Sequence, residues 1–306
     1  MEPKKFAAFI MTYERPDILV RSIEILRTQV FPPEFILVVD NSKSQDTAKI
    51  LGKAYGQNPQ IAYYRVGYNS GPAGAAKIGL EKLTALGYEW IYWGDDDNPP
   101  RDNSVFEQMF QKIINLENAG AKIGIFGGKG GNLGKTGRIS SLTNRELKDK
   151  KVVAVDMVPG GQTMLVNTVV VKAGILPEEK LFFAFEDLDF CLKTKAGGFE
   201  IYVDAETWYK VRKSYNNIDD NYSYKGSSFG KKEMLLRDYY STRSLLFIFY
   251  NNKLYSAFLF QLLKNIVKSL VGFRYGMSYG RKNFKFQKNA MMDFFRNNYS
   301  FIEALH

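Results

Sequence analysis

Four short apolar runs, each stopped by polar residues, alternate with three helical patterns in the N-terminal third of this chain. Phe6–Thr12, Phe35–Val39, Ile61–Val66 and Tyr88–Gly94 read as buried strands. Between them, Pro16 and Asp17 open a helix with apolar positions at Ile18, Leu19, Ile23, Ile25 and Leu26. Asp46 opens another through Ile50 and Leu51, and the turn Asn69–Gly74 leads into a third over about 75–86. Strands alternating with helices pair in parallel, which makes this an α/β layered domain. Ligands of such sheets sit at the carboxyl ends of the strands. Asp40, Asn69 and Asp95 to Asp97 all fall just past those ends, so one crevice can hold them. Later strands are expected at 123–126, 152–155, 162–166 and 200–203, and from about residue 231 the pattern is helical and aromatic-rich.

Asp95-Asp96-Asp97 is the densest chemical signal. Adjacent carboxylates repel, and a folded chain keeps three together where a cation neutralises them. Oxygen ligands suit a hard divalent ion, Mn²⁺ or Mg²⁺, which in turn can hold a diphosphate. The alternative is a solvated acidic turn before Asn98-Pro99-Pro100.

Composition excludes several classes. At 306 residues, 45% hydrophobic and 24% charged, the chain is globular, with enough length for one large or two modest domains. A single cysteine, Cys191, allows no intrachain disulfide and fits a reducing, cytoplasmic compartment. No basic segment with an apolar core and a small-residue cleavage site opens the chain, so secretion is not expected. The net charge is +10, and residues 231–306 carry +9 of it. That asymmetry argues against a general nucleic-acid surface and for a tail facing something anionic.

The segments Thr12-Tyr13-Glu14-Arg15-Pro16, Asp40-Asn41-Ser42, Asn69–Gly74, Gly94–Asp97 and Phe183–Asp189 occur in this order. With that ordered set the chain resembles family 2 glycosyltransferases of the GT-A fold, most of all their rhamnosyl- and galactofuranosyltransferase-like branch, over about residues 6–245. The resemblance implies a mainly parallel central sheet flanked by helices, with a catalytic domain over 1–230 and a helical extension over 231–306. It implies inverting transfer of a sugar, galactofuranose or rhamnose, from a UDP- or dTDP-sugar to a glycan or lipid-linked acceptor of the cell surface. Carried over by position, Asp40 would hydrogen-bond the imide of uracil or thymine, and Thr12 and Tyr13 would flank the base and ribose. Arg15, Asn69 and Gly71 would line the nucleotide. Asp95 and Asp97 would hold Mn²⁺ or Mg²⁺ on the diphosphate, with Asp96 facing the ribose or sugar. Gly160, Gly161 and Trp93 would lie against the donor sugar or acceptor. Asp187 would be the general base, with Glu186 beside it raising the pair's pKa. A catalytically inactive GT-A module that binds a nucleotide-sugar or scaffolds glycan assembly is the alternative.

Two positions depart from the pattern. Relatives place a metal-binding His shortly after the Glu-Asp segment, whereas this stretch is Thr207–Lys213 and the one histidine is His306. Lys210, Arg212 or Lys213 would then contact the diphosphate directly, or form a solvated basic face. Lys77 stands where relatives often carry Asn. Asp189 is expected to be structural or to pair with Lys193. Gly131–Thr136 resembles a phosphate-binding P-loop but has Lys129 where that motif requires Gly, and reads as a mobile loop over the active site.

The tail has apolar stretches at 245–250 and 254–263, broken by Asn251, Asn252 and Lys253 and cut off by Lys264 and Lys268, and no uncharged run long enough to span a bilayer. A helix rich in Lys, Phe and Tyr suits the interface of an anionic leaflet, with Phe247, Phe258, Phe260 and Phe273 for insertion. Packing on the catalytic domain or on a second subunit, as in a homodimer, is the alternative.

Overall fold

The computed structural model describes residues 4–215, 219–220 and 235–300. The expected boundary at 230/231, His306 and the tail charges at 231–233 and 303 lie outside the described residues. The chain runs β1 (Phe6–Thr12), α1 (Pro16–Arg27), β2 (Ile36–Asp40), α2 (Asp46–Tyr55), β3 (Ile61–Arg65), α3 (Gly71–Ala85), β4 (Trp90–Asp95), α4 (Val105–Asn118) and β5 (Ile123–Gly127). It continues through β6 (Gly131–Leu133), β7 (Ile139–Ser141), α5 (Asn144–Leu147), β8 (Val152–Ala154), β9 (Met164–Asn167), α6 (Thr168–Lys172), α7 (Glu186–Ala196), β10 (Glu200–Asp204) and α8 (Ala205–Ser214). Three long helices follow: α9 (Leu235–Asn251), α10 (Tyr255–Val271) and α11 (Met277–Phe295).

Eight strands form one sheet in the order β3-β2-β1-β4-β9-β5-β10-β8. Its strands are apolar on both faces because both faces are covered. Along β1, Ala7, Phe9 and Met11 enter one core with Trp93, Leu80 and Phe190, while Phe6, Ala8 and Ile10 enter the other with Leu19, Ile23 and Phe106. β1, β2, β3 and β4 pair in parallel, and the strand order reverses between β1 and β4. Crevices open at such a switch point. In register, Thr12 lies beside Asp40, and Met11 beside Asp95.

The sheet is not parallel throughout. β9 runs antiparallel between β4 and β5, and β8 antiparallel to β10. The chain enters β9 from the rim, where Met164 pairs with both Trp93 and Gly127, so it has to run back down the sheet. That entry places the turn at 160–163 beside the end of β4.

The expected mobile loop at 131–136 is instead the start of a β-hairpin, β6 with β7. It packs on the C-terminal helices: Gly137, at φ +76°, lies against Phe249 and Ala257, and Ser256 Oγ donates to the Lys135 carbonyl at 3.0 Å. These helices also share the sheet's core through Ile248 and Phe249.

Candidate active site

Three loops meet at the switch point, and polar side chains tie them together. Asn41, just past β2, donates from Nδ2 to the Gly71 carbonyl at 3.2 Å and accepts from Ser70 Oγ at 2.8 Å. Glu14, after β1, accepts from the Lys43 and Ser44 amides at 2.6 and 3.0 Å. Gly71 is obligatory: its φ is +68° and a Cβ would run into the Phe182 carbonyl.

The three aspartates point to different partners. Asp96 is fully buried, receives Thr12 Oγ1 at 2.7 Å, and pairs with Arg15 Nη2 at 2.6 Å. Its carboxylate is thereby held by Thr12 and Arg15 in the wall of the crevice. Asp97 is half-exposed and meets Arg15 Nη1 at 2.7 Å. Arg15 thus acts as a counter-ion within the cluster and lines the crevice from there. Asp95 lies against Gly161, whose φ of +67° and missing Cβ leave room for the carboxylate. Asn98 Nδ2 donates to the Gly161 carbonyl and fixes that turn to the acidic loop. Burial first, then Asp97, Asp96 and Asp187, push the Asp95 carboxyl up to about 7.

Glu186 and Asp187 open α7. Phe182, Ala184 and Phe185, just before them, have φ of +57°, +72° and +67°, a run of left-handed non-glycine residues of the kind that clusters at functional sites. Asp187 Oδ2 accepts the Gly160 amide at 2.9 Å, and Oδ1 the Leu188 amide at 2.7 Å. Glu186 Oε2 is buried with no hydrogen-bond partner among the described residues. Burial, then the adjacent Asp187, raise its pKa. Asp187 is also raised by burial but held back by the two amides.

These groups surround two joined chambers. One, of 240 Å³, is lined by Thr12, Tyr13, Arg15, Asn41, Asn69, Gly71 and Asp96. The other, of 390 Å³, is lined by Trp93, Gly160, Glu186, Asp187 and Ser241. Met11, Pro72, Asp95 and Phe183 line both, so Asp95 stands at the junction. Trp93 is floor rather than wall: it is fully buried, tilted against Phe9 and Phe190, and its Nε1, beneath Gly160, has no hydrogen-bond partner among the described residues.

Asp40 is not brought to the crevice. It is fully buried, with Ser42 N–H and Tyr63 O–H each donating to one carboxylate oxygen at 2.8 Å. Its neighbour Asn41 lines the chamber instead. The basic residues of α8 also face elsewhere. Lys210 pairs with Glu206 at 2.8 Å, Lys213 lies over Tyr209, and Arg212 bonds Asn144 and Ser141. Lys77 pairs with Glu179 at 3.1 Å, and Asp189 with Lys193 at 2.6 Å. Asn41 and Phe183 were not anticipated as lining residues. Asn41 was adjacent to a marked residue, whereas nothing in the sequence announces that Phe183 reaches both chambers.

Among the described residues no three His, Cys, Asp or Glu side chains converge as a protein-only metal cage. Asp95 and Asp97 fit a shared one. Among the described residues five carboxylates gather here, from Asp95 to Asp97 and at Glu186 and Asp187, and Arg15 is the cation that pairs with them. A divalent ion bound through one or two carboxylates, with diphosphate and water completing its shell, suits that donor set.

Comparison with known proteins agrees with this geometry. Residues 7–170 match the model of Glycosyl transferase family 2. The chain belongs to that family. Galactofuranosyltransferase GlfT1 of Mycolicibacterium smegmatis is 29% identical over 102 residues, and that of Mycobacterium tuberculosis H37Rv 32% identical over 102 residues. Each match covers 33% of this chain and 33% of the relative, so the chain spans about a third of the length of these curated proteins. Among solved structures, the mannosyltransferase PcManGT from Pyrobaculum calidifontis in complex with GDP-Man and Mn²⁺ is similar at TM-score 0.53 and 10% identity, over 96% of this chain and 87% of that one. S. aureus TarS 1-349 in complex with UDP is similar at TM-score 0.51 and 15% identity, over 98% and 94%. These likenesses show the fold, and this family 2 member has the GT-A fold.

Proposed function

We propose that this protein is an inverting glycosyltransferase that takes a sugar from a UDP- or dTDP-sugar, with galactofuranose or rhamnose favoured, and passes it to a glycan or lipid-linked acceptor in cell-surface polysaccharide synthesis. The observation that carries this reading is the position of Asp95 where the chamber lined by Tyr13, Asn41 and Asn69 meets one holding Glu186 and Asp187. A diphosphate at that junction puts the base and ribose against Tyr13, Asn41 and Asn69, and the sugar under Asp187. Mn²⁺ or Mg²⁺ held by Asp95 and Asp97 would stabilise the charge of the leaving diphosphate. Asp187 takes the proton of the acceptor hydroxyl as that oxygen bonds to the anomeric carbon and the bond to the diphosphate breaks. The amides of Gly160 and Leu188 fix its orientation. Glu186, pushed toward its protonated form, keeps the pair from carrying two charges. GDP-Man and UDP in the two similar structures support a nucleotide donor, and the GlfT1 relatives favour galactofuranose. The test is release of nucleotide from a panel of UDP- and dTDP-sugars with Mn²⁺; no turnover of any donor, with nucleotide binding intact, would favour the inactive module.

For the tail, a specific observation favours a membrane partner. α10 is inverted relative to a helix of a water-soluble bundle. Its buried positions include Gln261, Asn265 and Ser269, whereas Tyr255, Leu259, Leu263, Ile266, Val267 and Leu270 are exposed along one stripe. Two bonds join these inward polar groups, Gln261 to Asn265 at 3.1 Å and Asn283 of α11 to the Lys268 carbonyl at 2.8 Å, while Asn265 Nδ2 has no partner among the described residues. Among the described residues no helix is long and apolar enough to cross a membrane. An apolar stripe on a helix beside exposed Arg281, Lys282 and Lys288 suits peripheral binding to the anionic inner face of a membrane. Phe260 and Phe273 are exposed, while Phe247 and Phe258, expected to insert, pack partly buried on the protein core.

A further inference from the structure

A larger cavity, of 740 Å³, lies beside the catalytic chamber. The two share a wall of Met157, Pro159 and Arg237, and Pro159 immediately precedes Gly160, the residue that holds Asp187. Four cations line it, Arg101, Lys129, Arg212 and Arg237, and none of its described lining residues is acidic. Among the described residues, neither Arg101, Lys129 nor Arg237 has a carboxylate within ion-pairing distance. Gathering like charges in a half-enclosed space is unfavourable until an anion enters.

The arrangement is built rather than incidental. Arg212 is buried, bonded to Asn144 Oδ1 and Ser141 Oγ at 3.1 Å each, and lies 4.5 Å from the Trp208 ring centroid. Arg101 donates to the Tyr215 hydroxyl at 3.3 Å. Burial, then Arg101 and Arg212, hold the Lys129 ammonium below its ordinary pKa. Trp208 and Tyr215 add aromatic surface against which a sugar ring can lie.

We propose that this cavity is the acceptor subsite and that it binds a phosphate or diphosphate carried by the acceptor glycan. The inference rests on the glycosyltransferase reading above, and it deepens that reading by naming the acceptor's charge. An acceptor anchored here by its phosphate extends past Pro159 and delivers its sugar hydroxyl to Asp187. The anion is read by Arg and Lys together, as charge-assisted hydrogen bonds require.

Calorimetry on the full chain tests it, with glucose 1-phosphate, farnesyl diphosphate and uncharged methyl glucoside as probes in EDTA. Wild type is expected to bind the two phosphate compounds and not methyl glucoside. Lys129→Gln combined with Arg101→Gln is expected to weaken phosphate binding about tenfold or more, two charge-assisted contacts being lost. The same variant should keep wild-type UDP affinity in Mn²⁺, which shows an intact fold and donor site. Preference for farnesyl diphosphate over glucose 1-phosphate would identify a lipid-linked acceptor, and the reverse a phosphorylated glycan. Absence of phosphate binding, or equal binding by wild type and the double variant, would overturn the proposal. Failure to bind UDP or turn over any donor would instead count against the glycosyltransferase reading, whatever the phosphate probes show.

Discussion

Glu186 and Asp187 are adjacent in sequence, but the backbone distinguishes them. Asp187 has two amide donors that favour its ionised form, while Glu186 has a buried oxygen with no partner among the described residues. Asp187→Asn keeps the shape and removes the proposed base, so turnover should fall by about 10²-fold or more with little change in donor binding. Glu186→Gln mimics a carboxyl already favoured as protonated and should retain turnover within about threefold. Steady-state kinetics on both variants decides it; the opposite ranking would move the base to Glu186. Asp95 makes a second prediction, about pH. Its folded pKa is raised from 3.8 to about 7, so the folded state binds the proton more tightly than the unfolded chain. The stability it confers is complete below 3.8 and is lost as pH rises through about 7. In EDTA the thermal midpoint should decline across that interval, and Asp95→Asn should flatten the decline. An unchanged slope in the variant would show that Asp95 is not the group responsible. The acidic loop and the Glu186-Asp187 pair were legible at the residue level, because clustered carboxylates have few other reasons to be there. The lone Asp40, held by Ser42 and Tyr63, shows that one carboxylate is too weak a signal. The pairing of Arg15 with Asp96 and Asp97 was not legible, since counter-ion choice depends on where α1 starts in space.

At the scale of elements, turns set the site as much as side chains do. Gly71 begins α3 at φ +68°, with its α-carbon against the Phe182 carbonyl. Gly71→Ala should destabilise by roughly 1–3 kcal/mol, the cost of a strained left-handed residue, before the clash is counted. Gly52→Ala, in α2 with open space around it, should stabilise by roughly 0.5–1 kcal/mol, as Ala for Gly does inside a helix. Denaturant melts of the two variants should shift in opposite directions, and equal shifts would contradict the assigned geometry. The first four strands and their helices were readable because local periodicity and burial on both faces coincide there. The antiparallel course of β9 was not, because strand direction depends on which rim the chain arrives at. The β6–β7 hairpin was hidden for a related reason: its strands are three residues each and their packing on α9 and α10 is long-range.

At the scale of the whole molecule, the inverted α10 and the tail's +9 charge act on the same side of the argument. Each Lys or Arg reaching an anionic surface contributes about 1 kcal/mol, and apolar insertion adds to it. The protein should co-sediment with anionic vesicles, less so as salt screens the charges. Leu263→Glu with Val267→Glu should abolish sedimentation and leave nucleotide binding unchanged. Sedimentation that survives those substitutions, or a dimer that they dissolve, would assign the stripe to another surface. The central claim is narrower: under the proposed function, a nucleoside diphosphate would bind at the junction of the two chambers, on a cation held by Asp95. Calorimetric titration of UDP, with Mn²⁺ and with EDTA, into wild type and Asp95→Asn tests it most directly. Binding by wild type in Mn²⁺ that is lost in EDTA and in the variant is the predicted result, and equal affinity in all three would contradict it.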